Sequence, residues 1–322
     1  MSHRSISRTA AAGLDDANND LSYVIRLEET FEEGVKRILD EQTSNVIHHL
    51  TQQPDIHKGI HDARRCLKII RAVWRLIRED LDPEDFKRKN EFYRDAGREL
   101  SELRDLTALL EALDMMQKKN PKMRRWVSAQ TFRRALEAKR DEFQHENAPD
   151  QDIILLRETA AFLSAHRRQV NDFQLSDRFV QSVLTIIRKV YGRGYKMYHK
   201  CIEEQDPHDM HEWRKRVKYL RYHLHILRNV WPAVFTAFEN ELHQLSDYLG
   251  DFNNLSVMKN HLGDPEYQLK PAYRERLMEE VLSNQEKLAI NALSLGRRLY
   301  AEAPEAYVKR MEEYVADGQI LR

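Results

Sequence analysis

The chain has few of the residues that interrupt helices or build covalent and metal sites. Its 322 residues include 10 glycines, 9 prolines and 2 cysteines. Cys66 and Cys201 are too few and too far apart for a zinc cluster or a disulfide framework, and such sparse cysteine is typical of a reducing compartment. A helix that crosses a membrane needs a run of about 18 consecutive apolar residues, and no segment of this sequence is close to that length. The N-terminus also lacks the apolar segment of a secretory signal. We therefore predict a cytoplasmic protein with no membrane contact.

The chain also lacks an excess of either charge. Lysine and arginine together number 52, and aspartate and glutamate together also number 52. Global basicity therefore cannot attract a polyanion, and any anion-binding surface requires the charges to be segregated. With 32% charged and 41% hydrophobic residues, the composition favours long amphipathic helices over sheets or disorder.

Apolar residues recur with the period of an α-helix from about Leu21 to Val315, and we find no alternation typical of strands. Prolines divide this pattern, since proline fits the first turn of a helix and the residue before it resists the helical conformation. Residues 1–20 are predicted to form a disordered tail. The sequence predicts helices at 21–52, 55–80, 83–118, 121–146, 151–170, 177–204, 207–230, 232–262, 271–300 and from 304.

A basic motif, His-x-x-Arg-x-x-x-Lys-x-x-Arg, occurs twice, and the second copy follows the first by 150 positions. Steps of three and four place the basic side chains on one face of a helix, where successive cations rise by about 5 Å. Like charges on one face repel, so the pattern favours an anionic, repetitive ligand over a stabilising role. The first copy and its continuation comprise His61, Arg64, Lys68, Arg71, Arg75 and Arg78, and the second comprises His211, Arg214, Lys218, Arg221, His225 and Arg228.

Each basic stripe lies beside an apolar seam. The cations follow seam positions by one residue, so the stripes border the core and are predicted to line a groove between helices. A solvated helix face is the alternative interpretation. Two observations disfavour it: Asp62 is the single acid between His57 and Arg78, and the same spacing recurs in the second copy. The seams are Ile60, Ala63, Leu67, Ile70, Trp74 and Ile77, and Met210, Trp213, Val217, Leu220, Leu224 and Leu227.

A second correspondence accompanies the basic motif. Residues 100–109 align with residues 249–258, with apolar residues matched to apolar ones. A correspondence that extends over two helices indicates an internal duplication. We therefore predict an all-α fold of two four-helix bundles, at 21–172 and 173–322, related by a pseudo-twofold axis around a central basic groove or channel. The helix at 151–170 has no counterpart and is assigned to the connection.

Histidines raise the alternative of a metal site. His57 and His61 are spaced to place two ligands on one helical face, and His208 and His211 follow at a shorter spacing. Arginines and a lysine surround His61, however, and cations repel a divalent metal, so a metal-dependent phosphohydrolase is the least favoured hypothesis. Because we find no phosphate loop, nucleophile elbow or pair of catalytic carboxylates, we predict a binding protein that is not an enzyme and uses no cofactor.

The two basic helices, followed by Leu-Ser-Glu-Leu-Arg-Asp-Leu and Leu-Gly-Asp-Phe-Asn-Asn-Leu, resemble those of the CHAD family, the conserved histidine α-helical domains. The resemblance extends over about residues 21–300. It implies two four-helix bundles around a basic channel, binding of inorganic polyphosphate and association with polyphosphate granules. Sulfate or phosphate ions are expected at the same site in crystals. Nucleic acid, RNA above all, is the second candidate ligand, because its phosphodiester backbone attracts the same cations.

The motif positions carry the predicted polyphosphate site, and Arg65 and Lys215 align with further basic positions of the family pattern. We expect the protein to act as a scaffold, granule anchor or sensor. The resemblance implies ligand contacts from His61, Arg64, Arg65, Lys68, Arg71, His211, Arg214, Lys215, Lys218 and Arg221. The continued helical spacing adds Arg75, His225 and Arg228 to the predicted site. Further lining is predicted from Arg37, His48, His57, Lys189, Lys196 and His199.

Overall fold

A computed structural model describes residues 23–100, 105–146, 149–167, 172–267 and 269–317. Within these ranges the chain consists of α-helices joined by turns and short 3-10 segments, with no strand. The all-α prediction is confirmed, whereas the tail predicted at 1–20 lies outside the described residues. We number the α-helices in chain order: α1 Phe31–Gln52, α2 Ile56–Leu76, α3 Pro83–Glu99, α4 Asp105–Lys119, α5 Val127–Glu146, α6 Pro149–His166, α7 Phe179–Glu203, α8 Pro207–Ile226, α9 Pro232–Gly263, α10 Pro271–Leu299 and α11 Pro304–Asp317.

Aspartate and proline set the beginnings of the two basic helices, α2 and α8. Asp55 precedes α2, and its carboxylate accepts the backbone N–H of Lys58 at 3.1 Å. Asp206 precedes α8, where Pro207 occupies the first turn and Asp206 accepts the N–H of His208 at 2.8 Å. Such caps satisfy backbone donors that have no partner inside the helix. Both basic helices therefore begin within a residue of the predicted positions.

Three predicted helix boundaries are wrong, and one of them is the start at 121, where Pro121–Arg125 is a 3-10 segment and α5 begins at Val127. The helix predicted from residue 21 begins at Phe31, because Thr30 and Glu33 form a reciprocal capping box that starts the helix there. The helix predicted at 83–118 is two helices, α3 and α4. α3 packs on α2, whereas α4 pairs with α5 and packs on α9. Both pieces are amphipathic, so the helical period alone did not reveal the break between them.

α6 packs against α1 and α3, two helices of the first half of the chain. It packs on α1, and just after its end Arg167 donates to Asp40 at 2.6 and 2.7 Å. Phe162 of α6 stacks on Phe92 of α3 with ring centroids 4.8 Å apart. The α4–α5 pair packs instead on α9 and α10. The assignment of 151–170 to the connection and the pseudo-twofold relation between two bundles both stay predictions.

The two apolar seams form the inner faces of α2 and α8. Every seam residue named from the sequence is buried. Along α8, Trp213 packs so closely on α10 that a Cβ added to Gly296 would lie 2.6 Å from the indole ring, so this contact requires glycine. Burial of the seams brings the cations that follow each seam position to the rim of the core. None of the described helices is both long and apolar enough to cross a membrane.

Candidate functional site

The two basic helices lie against each other. Nε2 of His223 on α8 lies 3.0 Å from the carbonyl oxygen of Ala72 on α2. The guanidinium of Arg75 on α2 covers the ring of Tyr219 on α8, 4.5 Å from its centroid. The stripes of the two motif copies are thus brought into one place. We call the basic surface the set Arg65, Lys68, Arg71 and Arg75 of α2 with Arg214, Lys218 and Arg221 of α8.

Lys218 is the most constrained cation of the basic surface. Burial lowers the pKa of its amine from 10.5 to about 6, and neighbouring cations add to this shift. These cations are Arg214, Lys68 and Arg221, and Asp247 on α9 acts in the opposite direction. Within the part of the chain that the structure describes, no carboxylate forms an ion pair with Lys218. Lys68 and Lys218 hold the same place in the two motif copies, so equivalent cations meet.

The motif arginines are held by contacts with backbone. Arg64 donates to the carbonyl oxygen of Gly97 on α3. Arg214 lies against Gly250 on α9, where an added Cβ would be 3.1 Å from two nitrogens of its guanidinium. Glycine at position 250 therefore leaves the room that Arg214 occupies. Both arginines are partly buried, and these contacts restrict where their guanidinium groups can lie.

The motif histidines have different environments. His61 is exposed on α2. Nδ1 of His211 lies 2.9 Å from Oδ1 of Asn253 on α9. Burial lowers the pKa of His211, the contact with Asn253 opposes this shift, and neighbouring cations lower the pKa further. Lys215, a position added from the family pattern, is exposed and pairs with Glu212 on the same helix.

The last two residues of the second motif copy, His225 and Arg228, contact a carboxylate inside the protein. His225 is fully buried, and its Nδ1 lies 2.8 Å from Oε1 of Glu239 on α9. Arg228 donates to the other oxygen of Glu239 at 2.7 Å, and Nε of Arg221 lies 3.8 Å from the same carboxylate. Tyr23 stacks on His225 with ring centroids 3.7 Å apart. We call Tyr23, His225, Arg228 and Glu239 the closed cluster, and Arg221 lies between this cluster and the basic surface.

The closed cluster corrects the prediction for His225 and Arg228. A ring with no exposed surface cannot contact a ligand, and the guanidinium of Arg228 is bonded to Glu239. Burial raises the pKa of Glu239, but hydrogen bonds from His225 and Arg228 outweigh it and hold the pKa below its ordinary value. The ring of His225 and the guanidinium of Arg228 therefore hold an internal carboxylate, and we remove both residues from the predicted lining.

The residues predicted as further lining fall into different environments. Arg37 donates to Glu29 at 2.8 Å and to the carbonyl oxygen of Val24 at 2.8 Å, so it fixes the segment before α1 and leaves the predicted lining. Lys189 pairs with Glu79 at 3.0 Å. No three metal-ligating side chains of the described residues are grouped to hold a metal ion. His48, Lys196 and His199 are exposed, and the side chain of His57 lies outside the described residues.

A further group of cations lies beside the basic surface, where the first motif copy ends. A small pocket opens there between α2, α7 and α8, with Ile186 and Val190 as its apolar wall. Arg216 was not predicted as a site residue, because it does not occupy a position of the basic motif. Its spacing to Glu212 and Tyr219, which places all three on one helical face, could have indicated it. We call the end pocket the site lined by Arg75, Arg78, Lys189, Arg193, Arg216 and Tyr219.

Comparison with known proteins agrees with this architecture. The family model of the CHAD domain matches residues 37–263, which include both basic helices. The crystal structure of the CHAD domain from the plant Ricinus communis is similar in fold, with a TM-score of 0.51 and 17% sequence identity over 92% of this chain and 95% of that one. A search of curated proteins finds no match. Because the family model extends over more than half of the residues, the chain belongs to the CHAD-domain family.

Proposed function

We propose that the chain binds inorganic polyphosphate on the basic surface between α2 and α8. The observation that carries the proposal is the environment of Lys218, a mostly buried amine surrounded by cations of both motif copies. Its pKa of about 6 means that the free protein opposes a positive charge at this position. A bound polyanion reverses this effect, because negative charge stabilises the protonated amine and offsets the repulsion between neighbouring cations.

Linear polyphosphate suits the spacing and depth of these cations. Every phosphate along such a chain carries negative charge, and basic positions one helical turn apart are separated by about 5 Å. The chain is thin and has no side groups, so it can approach partly buried residues such as Arg71 and Lys218. Nε of Arg71 has a long hydrogen bond to Asn90 at 3.4 Å, which a charge-assisted bond to a phosphate would readily replace.

Nucleic acid is the second candidate, and the aromatic residues of the basic surface disfavour it. A single-stranded nucleic acid is held by stacking of its bases on exposed aromatic rings. Tyr222 is 7% exposed, and the ring of Tyr219 is covered by the guanidinium of Arg75. Neither ring is presented as a stacking platform. We therefore expect a preference for polyphosphate over RNA of equal charge.

The experiment that tests the proposal is a binding titration with polyphosphate of defined length. The double variant Lys68→Gln and Arg71→Gln removes two cations of the basic surface and keeps polar side chains in their place. We expect its affinity to fall by at least about 100-fold, since each of the two charge-assisted contacts contributes about 1.5–3 kcal/mol. The matched control is Arg297→Gln with Arg298→Gln, two exposed arginines near the end of α10, which should bind as the unchanged protein does.

The titration is repeated with single-stranded RNA and with orthophosphate as competitors. Equal affinity for RNA and polyphosphate would favour a general phosphate-backbone binder. Loss of affinity in the α10 control as large as in the α2 variant would mean that binding is non-specific. A titration in which the unchanged protein does not bind polyphosphate rejects the proposal.

We further propose that the protein acts by binding alone, as a scaffold, granule anchor or sensor in the cytoplasm. The family shown by the sequence match supports this role. The measurement is the release of phosphate from polyphosphate with and without divalent metal, and we expect none. In cells that store polyphosphate, a fluorescently tagged protein should lie on the granules, and the Lys68→Gln and Arg71→Gln variant should not.

A further inference from the structure

Helix α7 forms one wall of the end pocket. α7 packs across α8 and α2 and also contacts the 3-10 turn Arg78–Asp80. Ile186 and Val190 of α7 supply an apolar wall, and Lys189 bridges to Glu79 of the turn at 3.0 Å. An anion that enters the end pocket therefore meets the wall that α7 forms.

The charges around the end pocket do not cancel. Glu79 contacts both Lys189 and Arg78, the latter at 3.3 Å, and Glu212 contacts Arg216 at 3.2 Å. The end pocket has five basic side chains, and three of them, Arg78, Lys189 and Arg216, pair with these two carboxylates. The other two, Arg75 and Arg193, form no ion pair with any described residue. The pocket thus keeps a positive charge that the protein itself does not neutralise.

Arg75 is half-buried, and its guanidinium lies over the ring of Tyr219. Its Nε atom is buried with no hydrogen-bond acceptor among the described residues. A buried donor without an acceptor is destabilising, so an anionic oxygen at this position is favoured. Arg193 is exposed at the mouth of the same pocket and can reach an anion that enters it.

We infer that the end pocket holds the terminal phosphate of a polyphosphate chain whose internal phosphates lie along the basic surface. This inference rests on the proposed function. A terminal phosphate resembles a phosphate monoester, because it has three free oxygens and loses a second proton at a pH of about 6. It therefore carries more negative charge at neutral pH than an internal phosphate does. Several cations converging on one pocket suit this end group, whereas a single row of cations suits the internal phosphates.

The test compares two polyphosphate chains of the same length, one with free ends and one with both terminal phosphates converted to alkyl esters. The chains are long enough that the capping changes the total charge only slightly. We expect the unchanged protein to bind the free-ended chain about tenfold more tightly, because capping removes at least one charge-assisted contact in the pocket.

Variants of individual cations show whether the end pocket causes the preference for free-ended over capped chains. Arg193→Gln and Arg78→Gln remove cations of the end pocket and should bind both chains with nearly equal affinity. Arg188→Gln removes an exposed arginine of the same helix α7 that does not line the pocket, and it should keep the full preference for free ends. Circular dichroism of each variant verifies that the helices are retained.

The possible results separate the inference from the proposed function. If capped and free-ended chains bind the unchanged protein equally, the chain-end inference is wrong and the proposed function stands. If the preference persists in the Arg78→Gln and Arg193→Gln double variant, the terminal phosphate is bound elsewhere and the inference is equally wrong. If orthophosphate competes at the same concentration as free-ended polyphosphate, the pocket is a site for free phosphate instead. If neither chain binds, both the proposed function and the inference fail.

Discussion

The closed cluster and the end pocket are the most informative comparison within the molecule. His225 and Arg75 hold the same place in the two motif copies, as do Arg228 and Arg78. In the closed cluster the buried carboxylate of Glu239 binds the cations, with contacts at 2.8 and 2.7 Å. In the end pocket no carboxylate of the described residues pairs with Arg75.

The difference teaches that position in a repeat does not determine the role of a cation. One copy obtains its counter-charge from α9 of the same protein. The other copy, in our proposal, obtains it from the ligand. Tyr23 completes the contrast, because it covers His225 from the segment before α1, whereas Tyr219 lies against Arg75 and lines the end pocket.

The largest expected effect is that of salt on ligand binding. If about six to ten phosphates are neutralised on the basic surface, affinity should fall by about 10³–10⁵-fold between about 50 and 200 mM salt, by the relation known for duplex DNA. The closed cluster should respond weakly to the same change, because buried charges are screened much less than exposed ones. The measurement is a binding titration at several salt concentrations, and a flat profile would contradict an electrostatic basic surface.

Substitution of Glu239 should break the closed cluster. The Glu239→Gln variant leaves His225 and Arg228 with no carboxylate between them, and loss of one partner of a buried ionic contact destabilises by about 3–5 kcal/mol. Urea unfolding measures this difference. Glu241→Gln, which removes an exposed carboxylate two positions further along α9, is the control and should change the free energy of unfolding little. Equal stabilities of the two variants would mean that Glu239 does not hold the cluster together.

The next effect is the pH dependence of binding, which we assign to Lys218 rather than to the motif histidines. The groups that face its amine are Lys68 of α2, Arg214 and Arg221 of α8, and Asp247 of α9. The bound polyanion raises the pKa of Lys218, so binding takes up a proton. Affinity should therefore increase as the pH falls from about 8 toward 6, by up to about tenfold per pH unit, and level off below.

The free protein should show the opposite trend in stability. Between pH of about 6 and 10.5 the unfolded chain binds the proton of Lys218 and the folded chain does not, so the free energy of unfolding rises with pH across this range. The Lys218→Met variant should lose this slope and the pH dependence of binding to a long polyphosphate. An unchanged binding slope in this variant would assign proton uptake to another group.

The smallest effect is expected at Lys215. Its amine is exposed and paired with Glu212, and exposed ion pairs contribute about 0–1 kcal/mol. Lys215→Gln should therefore reduce polyphosphate affinity by a few-fold at most, well below the effect of the Lys68→Gln and Arg71→Gln variant. A loss as large as in that variant would extend the basic surface beyond the cations that face each other across α2 and α8.

The sequence was sufficient to predict the helical fold, the seams and the family. Seam residues such as Trp74 and Trp213 are buried as predicted, because helical periodicity reports which face packs against the core. The caps at Asp55 and Asp206 are local, so the beginnings of the basic helices could also be predicted. These features depend on residues that are near one another in the chain.

The features that the sequence could not provide depend on distant residues. Glu239 meets His225 from another helix, and Tyr23 reaches it from the N-terminal segment. Periodicity alone therefore could not show that one end of the stripe is neutralised. The end pocket likewise requires α7 to bring Arg193 beside α2 and α8. The packing of α6 on α1 and the different packing partners of α3 and α4 also depend on contacts between residues that are distant in the sequence.

A crystal structure of the protein with bound polyphosphate tests the central claim most directly. The account predicts phosphate groups within hydrogen-bond distance of Lys68 and Lys218, continuing along the basic surface, with none in contact with the closed cluster around Glu239. Phosphates bound only on exposed arginines elsewhere, such as Arg297, with Lys218 uncontacted, would contradict it.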